Sequence, residues 1–131
     1  MRGKPPIVRD CMTHLPVEGE RCETVADAAR LMESHHIRHL PVMSGSHLKG
    51  IVSQRDILST RLRYGDAADA MMLEEICSTD VLKVGPLTPV NEVAGQMLDR
   101  RLGSAVIVDG GYVVGVFTST DALRTLQTLF G

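Results

Sequence analysis

Two stretches of the sequence, GIVSQRDIL at residues 50–58 and GVFTSTDAL at residues 115–123, decide the fold because they follow one pattern. Each stretch starts with glycine, continues through an apolar run, and places an aspartate three residues after a hydroxyl residue. This hydroxyl-x-x-Asp spacing resembles a capping box, which predicts a helix beginning at Ser53 and another at Thr118. Each stretch is therefore predicted to be a strand that turns directly into a helix.

The chain repeats beyond these two stretches. Residues 11–58 align with residues 76–123 without a gap, at an offset of 65 residues, and most pairs keep their chemical type. A gapless repeat of this length indicates an internal duplication.

Each copy is predicted to begin with a strand and an amphipathic helix. Apolar residues recur at helical spacing in residues 25–32 and 90–97, and each run follows a threonine able to cap it. Strand-like segments precede these helices at Pro16–Val17 and Val81–Val84.

Each copy continues with a predicted β-hairpin. Two short apolar runs flank Ser44–Gly45 in the first copy and Asp109–Gly110–Gly111 in the second, and such turn residues favour hairpins. With the helix that follows, the predicted order in each copy is β-α-β-β-α.

The two copies are expected to form one α+β protein. A single copy cannot bury its apolar sheet face, so two pseudo-symmetric repeats are expected to pack sheet to sheet. We place repeat 1 at residues 8–60, a helical linker with a break at Gly65–Asp66 at 61–75, and repeat 2 at 76–126.

Composition narrows the class of protein. The chain has 131 residues, 44% of them hydrophobic, a net charge of −2 and 3% aromatics, so a nucleic-acid surface is not expected. The apolar runs are too short to cross a bilayer and the start lacks a signal-peptide core, so we expect a cytoplasmic protein without a membrane partner. The three cysteines have no C-x-x-C spacing and are expected to be reduced, buried thiols.

The repeated strand-to-helix corner is consistent with two roles. The simpler role is a helix cap. The second role is nucleotide binding, because a helix N-terminus favours phosphate and a carboxylate one turn inside can accept ribose hydroxyls. Gly50 and Gly115 would let either a ligand or a facing strand approach the backbone closely.

The segments HIRHLPVM (residues 36–43), GIVSQRDIL and GVFTSTDAL match the pattern G-h-x-[ST]-x-x-[DN] and its surroundings, so residues 8–126 resemble a tandem pair of cystathionine β-synthase (CBS) domains. The resemblance implies a non-catalytic regulatory module with two clefts between the repeats. The implied ligand is adenosine-containing: AMP, ADP, ATP or S-adenosylmethionine, bound as a regulator and not as a required cofactor. The resemblance also implies a homodimer formed through helices and an effector protein that is not identified.

The resemblance assigns residues to each cleft. In the first, Asp56 would hold the ribose, and the phosphate would face Ser53, Arg55, Arg38 and His39. The base would contact the other repeat at Leu82 and Leu102–Gly103. The second cleft would use Asp121, Thr118, Ser119 and Thr120, against Val17 and Ile37.

The two clefts are not expected to be equal. The second repeat has Gly103 and Ser104 where the first has Arg38 and His39, so phosphorylated ligands should prefer the Asp56 cleft. The Asp121 cleft is expected to take a less charged, adenosine-like ligand or to stay empty. Because neighbouring strand residues point to opposite faces, Arg38 and His39 can share a cleft only in the turn before the strand. The alternative for Arg38 is a solvated cap on the preceding helix.

The sequence bears on three other hypotheses. A ligand-free structural or dimerisation module is the main alternative. Catalysis is not expected, because the sequence has no G-x-S-x-G elbow, P-loop or H-E-x-x-H motif. A metal site at His35, His36 and His39 is not expected either, because a helix-to-strand turn separates the imidazoles and structural zinc sites usually show more regular ligand spacing.

Overall fold

The computed structural model describes residues 3–131 and divides the chain into two compact units. The central unit consists of residues 15–80, and the split unit consists of residues 3–14 together with 81–131. Each unit contains a small sheet and helices, so the α+β prediction is confirmed.

The elements follow one order in both halves of the chain. The strands are β1 (Thr13–His14), β2 (Gly19–Glu20), β3 (His39–Ser44), β4 (His47–Ser53), β5 (Lys83–Val84), β6 (Ser104–Asp109) and β7 (Tyr112–Thr118). The α-helices are α1 (Val25–His35), α2 (Gln54–Tyr64), α3 (Leu73–Ile76), α4 (Val90–Arg100) and α5 (Ser119–Phe130). Short 3-10 helices cover Val8–Asp10 and Gly65–Ala70. None of these helices has the length and apolar character that crossing a bilayer requires, as far as residues 3–131 are concerned.

Each of the two sheets contains one antiparallel hairpin and one parallel pair of strands. In the central unit the order is β2-β3-β4, with β2 parallel to β3 and the predicted hairpin formed by β3 and β4. In the split unit the order is β1-β7-β6-β5, with β5 parallel to β6 and β1 antiparallel to β7. The predicted β-α-β-β-α order is thus present in both halves of the chain.

Two details of the predicted order were wrong. The first strand-like segment at Pro16–Val17 is not a strand, because pairing with β3 begins only at Gly19, after a proline that lacks a backbone N–H. Helix α4 is not capped by a threonine. Pro89, which aligns with the capping Thr24 of α1, precedes α4 and provides no side-chain hydrogen bond.

The units do not coincide with the sequence repeats, because each receives the segment that leads into the other repeat. Val8 is the first residue of repeat 1 but is fully buried in the core of the split unit, and its N–H donates to Thr88 O (2.8 Å). Leu73, 65 residues later, is fully buried in the central unit, and its N–H donates to Glu23 O (2.8 Å). Both units therefore depend on a segment that is distant in sequence.

The cysteines are free thiols, but not all are buried as expected. Cys22 is exposed, while Cys11 and Cys77 are partly buried. Burial raises the pKa of the Cys77 thiol above its ordinary value, which keeps this group protonated at neutral pH.

Candidate functional site

Each unit contains one of the predicted strand-to-helix corners. The Asp56 corner, residues 38–39 and 53–56, joins β4 to α2 in the central unit. The Asp121 corner, residues 103–104 and 118–121, joins β7 to α5 in the split unit. The backbone hydrogen bonds of the two corners match. In each, the N–H of the first helical residue donates to the carbonyl oxygen of the residue just before the paired strand: Gln54 to Arg38 (2.8 Å) and Ser119 to Gly103 (3.2 Å).

Both corners contain the predicted capping box. Ser53 Oγ accepts from Asp56 N–H (3.1 Å), and Ser53 N–H donates to Asp56 Oδ2 (2.7 Å). Thr118 and Asp121 exchange the same two bonds, at 3.2 and 2.9 Å. The capping role of these residues is therefore confirmed in both units.

The Asp56 carboxylate has one oxygen that the cap does not use. Its side chain is partly exposed, and no group within residues 3–131 donates a hydrogen bond to Oδ1. An ionised carboxylate oxygen is a strong acceptor, so Oδ1 can receive a hydroxyl from a bound molecule.

Two arginines lie at this corner. Arg38 lies in the turn before β3 and Arg55 in the first turn of α2; both are exposed, and neither has an ion pair within residues 3–131. His39 begins β3 and pairs with Ser53 across the sheet. Arg38 thus lies in the turn, as the condition requires, but His39 is already the first residue of the strand, so the condition is met by only one of the two. Together with the positive end of α2, this arrangement favours an anion.

The Asp121 carboxylate, in contrast, is saturated by protein groups. It is 2% exposed. Its Oδ1 accepts from the Thr13 hydroxyl and from the Arg124 guanidinium, both at 2.9 Å. Its Oδ2 accepts from the N–H and the hydroxyl of Thr118, at 2.9 and 3.1 Å. This corner therefore offers no carboxylate oxygen to a ligand in the present arrangement.

Thr13 and Arg124 are not among the site residues predicted from the sequence. Arg124 lies three residues after Asp121 on one helix, a spacing that brings side chains together, so this ion pair had a local signal. Thr13 is 108 residues from Asp121, and no local pattern could have indicated the contact. The residue aligned with Thr13 is Ser78 and the residue aligned with Arg124 is Ser59, and within the described part of the chain neither donates to Asp56.

The glycines serve backbone packing at both corners. A Cβ at Gly50 would overlap the carbonyl oxygen of Ser78 and lie 3.0 Å from Cys77 Sγ. A Cβ at Gly115 would overlap the Met12 sulfur and lie 2.8 Å from Thr13 O. The glycines were expected to admit either a ligand or a facing strand. Within each unit a neighbouring backbone segment takes this space.

The other predicted site residues are divided between the units. In the central unit, Ile37 is buried, Val17 is partly buried, and Ile37 lines a groove of about 260 Å³ between α1 and α2. In the split unit, Leu82 belongs to the core, Leu102 packs against it, and Thr120 is exposed on α5. The predicted contacts of the base with these residues stay a prediction.

The histidine cluster is separated by the end of α1. His35 is the last helical residue and His36 adopts a left-handed conformation (φ 54°, ψ 43°) that ends the helix. Within residues 3–131, no three His, Cys, Asp or Glu side chains are grouped so that they could share a metal ion.

Comparison with known proteins identifies relatives of the whole chain. A family model of the CBS domain matches residues 8–63 and again 73–128. Homoserine O-acetyltransferase of Methanocorpusculum labreanum is 34% identical over 118 residues, which are 88% of this chain but 23% of that enzyme. The chain thus spans less than a quarter of that relative's length.

Two solved structures cover nearly the whole chain. The AcuB protein from Vibrio cholerae is 34% identical, with a TM-score of 0.74, over 95% of this chain and 93% of that one. The CBS domain pair of protein MJ0100, solved with 5′-methylthioadenosine and S-adenosylmethionine, is 28% identical, with a TM-score of 0.78, over 95% and 98% of the two chains.

Proposed function

We propose that this chain, which belongs to the CBS domain family, is a regulatory module that binds an adenosine-containing ligand at the Asp56 corner. CBS domain pairs are generally regulatory and not catalytic, and we extend that role to this chain. The ligand class is an adenine nucleotide or S-adenosylmethionine.

The observation that carries this proposal is the unused Oδ1 of Asp56. The 2′ and 3′ hydroxyls of a ribose are hydrogen-bond donors that suit such an oxygen. The other carboxylate oxygen, Oδ2, accepts a hydrogen bond from the Ser53 N–H, and this bond keeps the carboxylate in place. The adenosyl ligands of the MJ0100 CBS pair support the same ligand class.

The charges of the corner favour a phosphorylated ligand. Arg38 and Arg55 are exposed cations beside the N-terminus of α2, whereas the Asp121 corner has Gly103 and Thr120 at the matching positions. A hydrogen bond to a charged group contributes roughly 1.5–3 kcal/mol, so one lost contact corresponds to about tenfold or more in affinity. We therefore expect AMP, ADP or ATP to bind more tightly than adenosine.

Regulation requires that the ligand favour one of two states of the protein. A ligand shifts such an equilibrium only by its difference in affinity for the two states. Phosphate bound at the N-terminus of α2 would hold β4, α2 and the Arg38 turn together, and we propose that an effector protein reads this state.

Isothermal titration calorimetry with AMP, ATP and S-adenosylmethionine tests the proposal. We expect the wild-type chain to bind at least one of them, and Asp56→Ala to weaken binding by tenfold or more. Asp121→Ala is the matched control, because it removes an equivalent capping box, and it should weaken binding less. Absence of binding by all three ligands, or the reverse ranking of the two variants in folded protein, would contradict the proposal.

A second candidate is a structural module that acts only through association. It is favoured by exposed apolar side chains on the helices, including Leu58 and Leu62 of α2 and Leu123 of α5. Thermal unfolding separates the candidates, because a ligand that binds the folded state raises the unfolding temperature. No shift with any of the three ligands would favour the structural module.

A further inference from the structure

The two aspartates of the duplicated corner differ in their availability. Both lie at the third position of a helix and both complete a capping box. Asp56 retains a free oxygen, whereas Asp121 accepts four hydrogen bonds from three residues. The aligned sequence stretches share the hydroxyl-x-x-Asp spacing and do not by themselves show this difference.

We infer that Thr13 and Arg124 close the Asp121 corner and so limit the chain to one adenosine-containing ligand, bound at Asp56. This inference rests on the proposed function for its ligand. The Thr13 hydroxyl donates to Asp121 Oδ1 at 2.9 Å, and a ribose hydroxyl would require the same oxygen. The protein thereby supplies its own donor in place of the ligand's.

Arg124 reinforces this closure. Its guanidinium donates to the same oxygen at 2.9 Å from the next turn of α5. The arginine side chain is 63% exposed, while the Asp121 side chain is 2% exposed, so the charge partner reaches inward from the surface. A buried carboxylate with four donors has no free acceptor for a further hydroxyl.

The position of Thr13 explains why only one corner is closed. Strand β1 pairs with β7, with Thr13 opposite Val116, and this pairing brings the Thr13 hydroxyl to Asp121. In the central unit, Ser78 forms the corresponding bridge with Ile51, but within the described residues its hydroxyl does not bond to Asp56. The position aligned with Arg124 is Ser59, which has no charge.

Carbodiimide labelling with glycinamide tests the closure without a ligand, because it converts accessible carboxylates to amides that peptide mass spectrometry can locate. In the wild-type chain we expect label on Asp56 and none on Asp121. In Thr13→Ala/Arg124→Ser we expect label on both. The control Thr13→Ser/Arg124→Lys keeps a hydroxyl and a cation, so Asp121 should stay unlabelled. Label on wild-type Asp121, or continued protection in the folded Ala/Ser variant, would overturn the inference.

Calorimetry with adenosine then tests the link to binding. Asp56→Ala alone should not bind, and Asp56→Ala with Thr13→Ala/Arg124→Ser should bind one equivalent. Suppose that the wild type binds one ligand and that Asp121 becomes labelled in the opened variant, but that the triple variant binds nothing. Thr13 and Arg124 then do not set the number of ligands bound. If the wild type binds no ligand at all, the proposed function fails, and the labelling result still decides the closure. Arg124→Ser alone repeats the labelling test should the Thr13 variant not fold, because Arg124 lies at the surface.

Discussion

Gly50 and Gly115 are glycines because a backbone segment crosses each of them. Each residue lies in the strand before a corner, opposite a segment that carries the aligned hydroxyl, Ser78 or Thr13. A Cβ would collide with backbone carbonyl oxygen, which cannot rotate away as a flexible side chain can. The small residue therefore allows the crossing segment to hold the corner, independently of any ligand.

Replacing Gly50 by Ala should destabilise the fold. Forcing an extra methyl into a packed position typically costs about 1–3 kcal/mol, and here the obstacle is the Ser78 carbonyl. Gly95→Ala is the matched control. Gly95 lies within α4 with nothing near its Cβ position, so alanine there should stabilise by about 0.5–1 kcal/mol. Urea unfolding of both variants measures the difference, and equal or greater stability of Gly50→Ala would contradict this account.

At the scale of the element, capping distinguishes helices that are otherwise aligned. Helix α1 begins with a full capping box between Thr24 and Asp27, whereas α4 begins after Pro89 without a side-chain cap. The apolar spacing of the two helices is the same, so packing supports both. The first four N–H groups of both helices need acceptors from outside the helix. In α1 the Thr24 side chain accepts from one of them, whereas in α4 the side chain of Pro89 accepts from none.

The cap of α1 should make stability depend on pH in the acid range. The Thr24 N–H, the Thr24 hydroxyl and Arg30 hold the pKa of Asp27 below its ordinary value of 3.8. The lowered pKa means that the charged form favours the folded state. Its contribution is therefore complete above the unfolded pKa and is lost as pH falls through the folded pKa.

Thermal unfolding as a function of pH measures this effect. Below about pH 3.8 the unfolding temperature of the wild type should fall more steeply than that of Asp27→Asn. Glu92→Gln is the control, because Glu92 occupies the aligned position on α4, where the preceding proline provides no capping box. Parallel pH curves for the wild type and Asp27→Asn would show that this cap does not contribute.

At the scale of the whole molecule, an apolar row on α5 is left exposed by residues 3–131. Leu123, Leu126 and Phe130 follow helical spacing and are 53–68% exposed, and Asp121 is the one buried residue of this helix. Large apolar side chains aligned on one face of a helix are typical of an interaction surface. We propose that a second copy of the chain covers this row, since a twofold dimer pairs identical surfaces.

A charge on α5 should prevent this association. We expect sedimentation to show a dimer of the 14.3 kDa chain, and Leu123→Glu to shift it to monomer. Leu87→Glu is the matched control, because Leu87 is 65% exposed, close to the 67% of Leu123, but lies in the loop between β5 and α4. A wild-type monomer, or an unchanged Leu123→Glu dimer, would contradict the proposed interface.

The sequence by itself determined the local architecture. The repeat, the hairpins and the helices beginning after Ser53 and Thr118 follow from the spacing of apolar, turn and capping residues within a few positions. Such signals are local because helix and strand periods and caps involve neighbours in the chain.

Only the tertiary structure decided how the two corners differ. Val8, at the start of repeat 1, enters the core of the split unit, Leu73 of the linker is buried in the central unit, and Thr13 reaches Asp121 across 108 residues. Contacts between distant segments depend on strand pairing and packing, which no period in the sequence encodes. The aligned Asp56 and Asp121 are therefore alike in sequence but differ in hydrogen bonding, because a distant hydroxyl and a cation on the next turn reach only one of them.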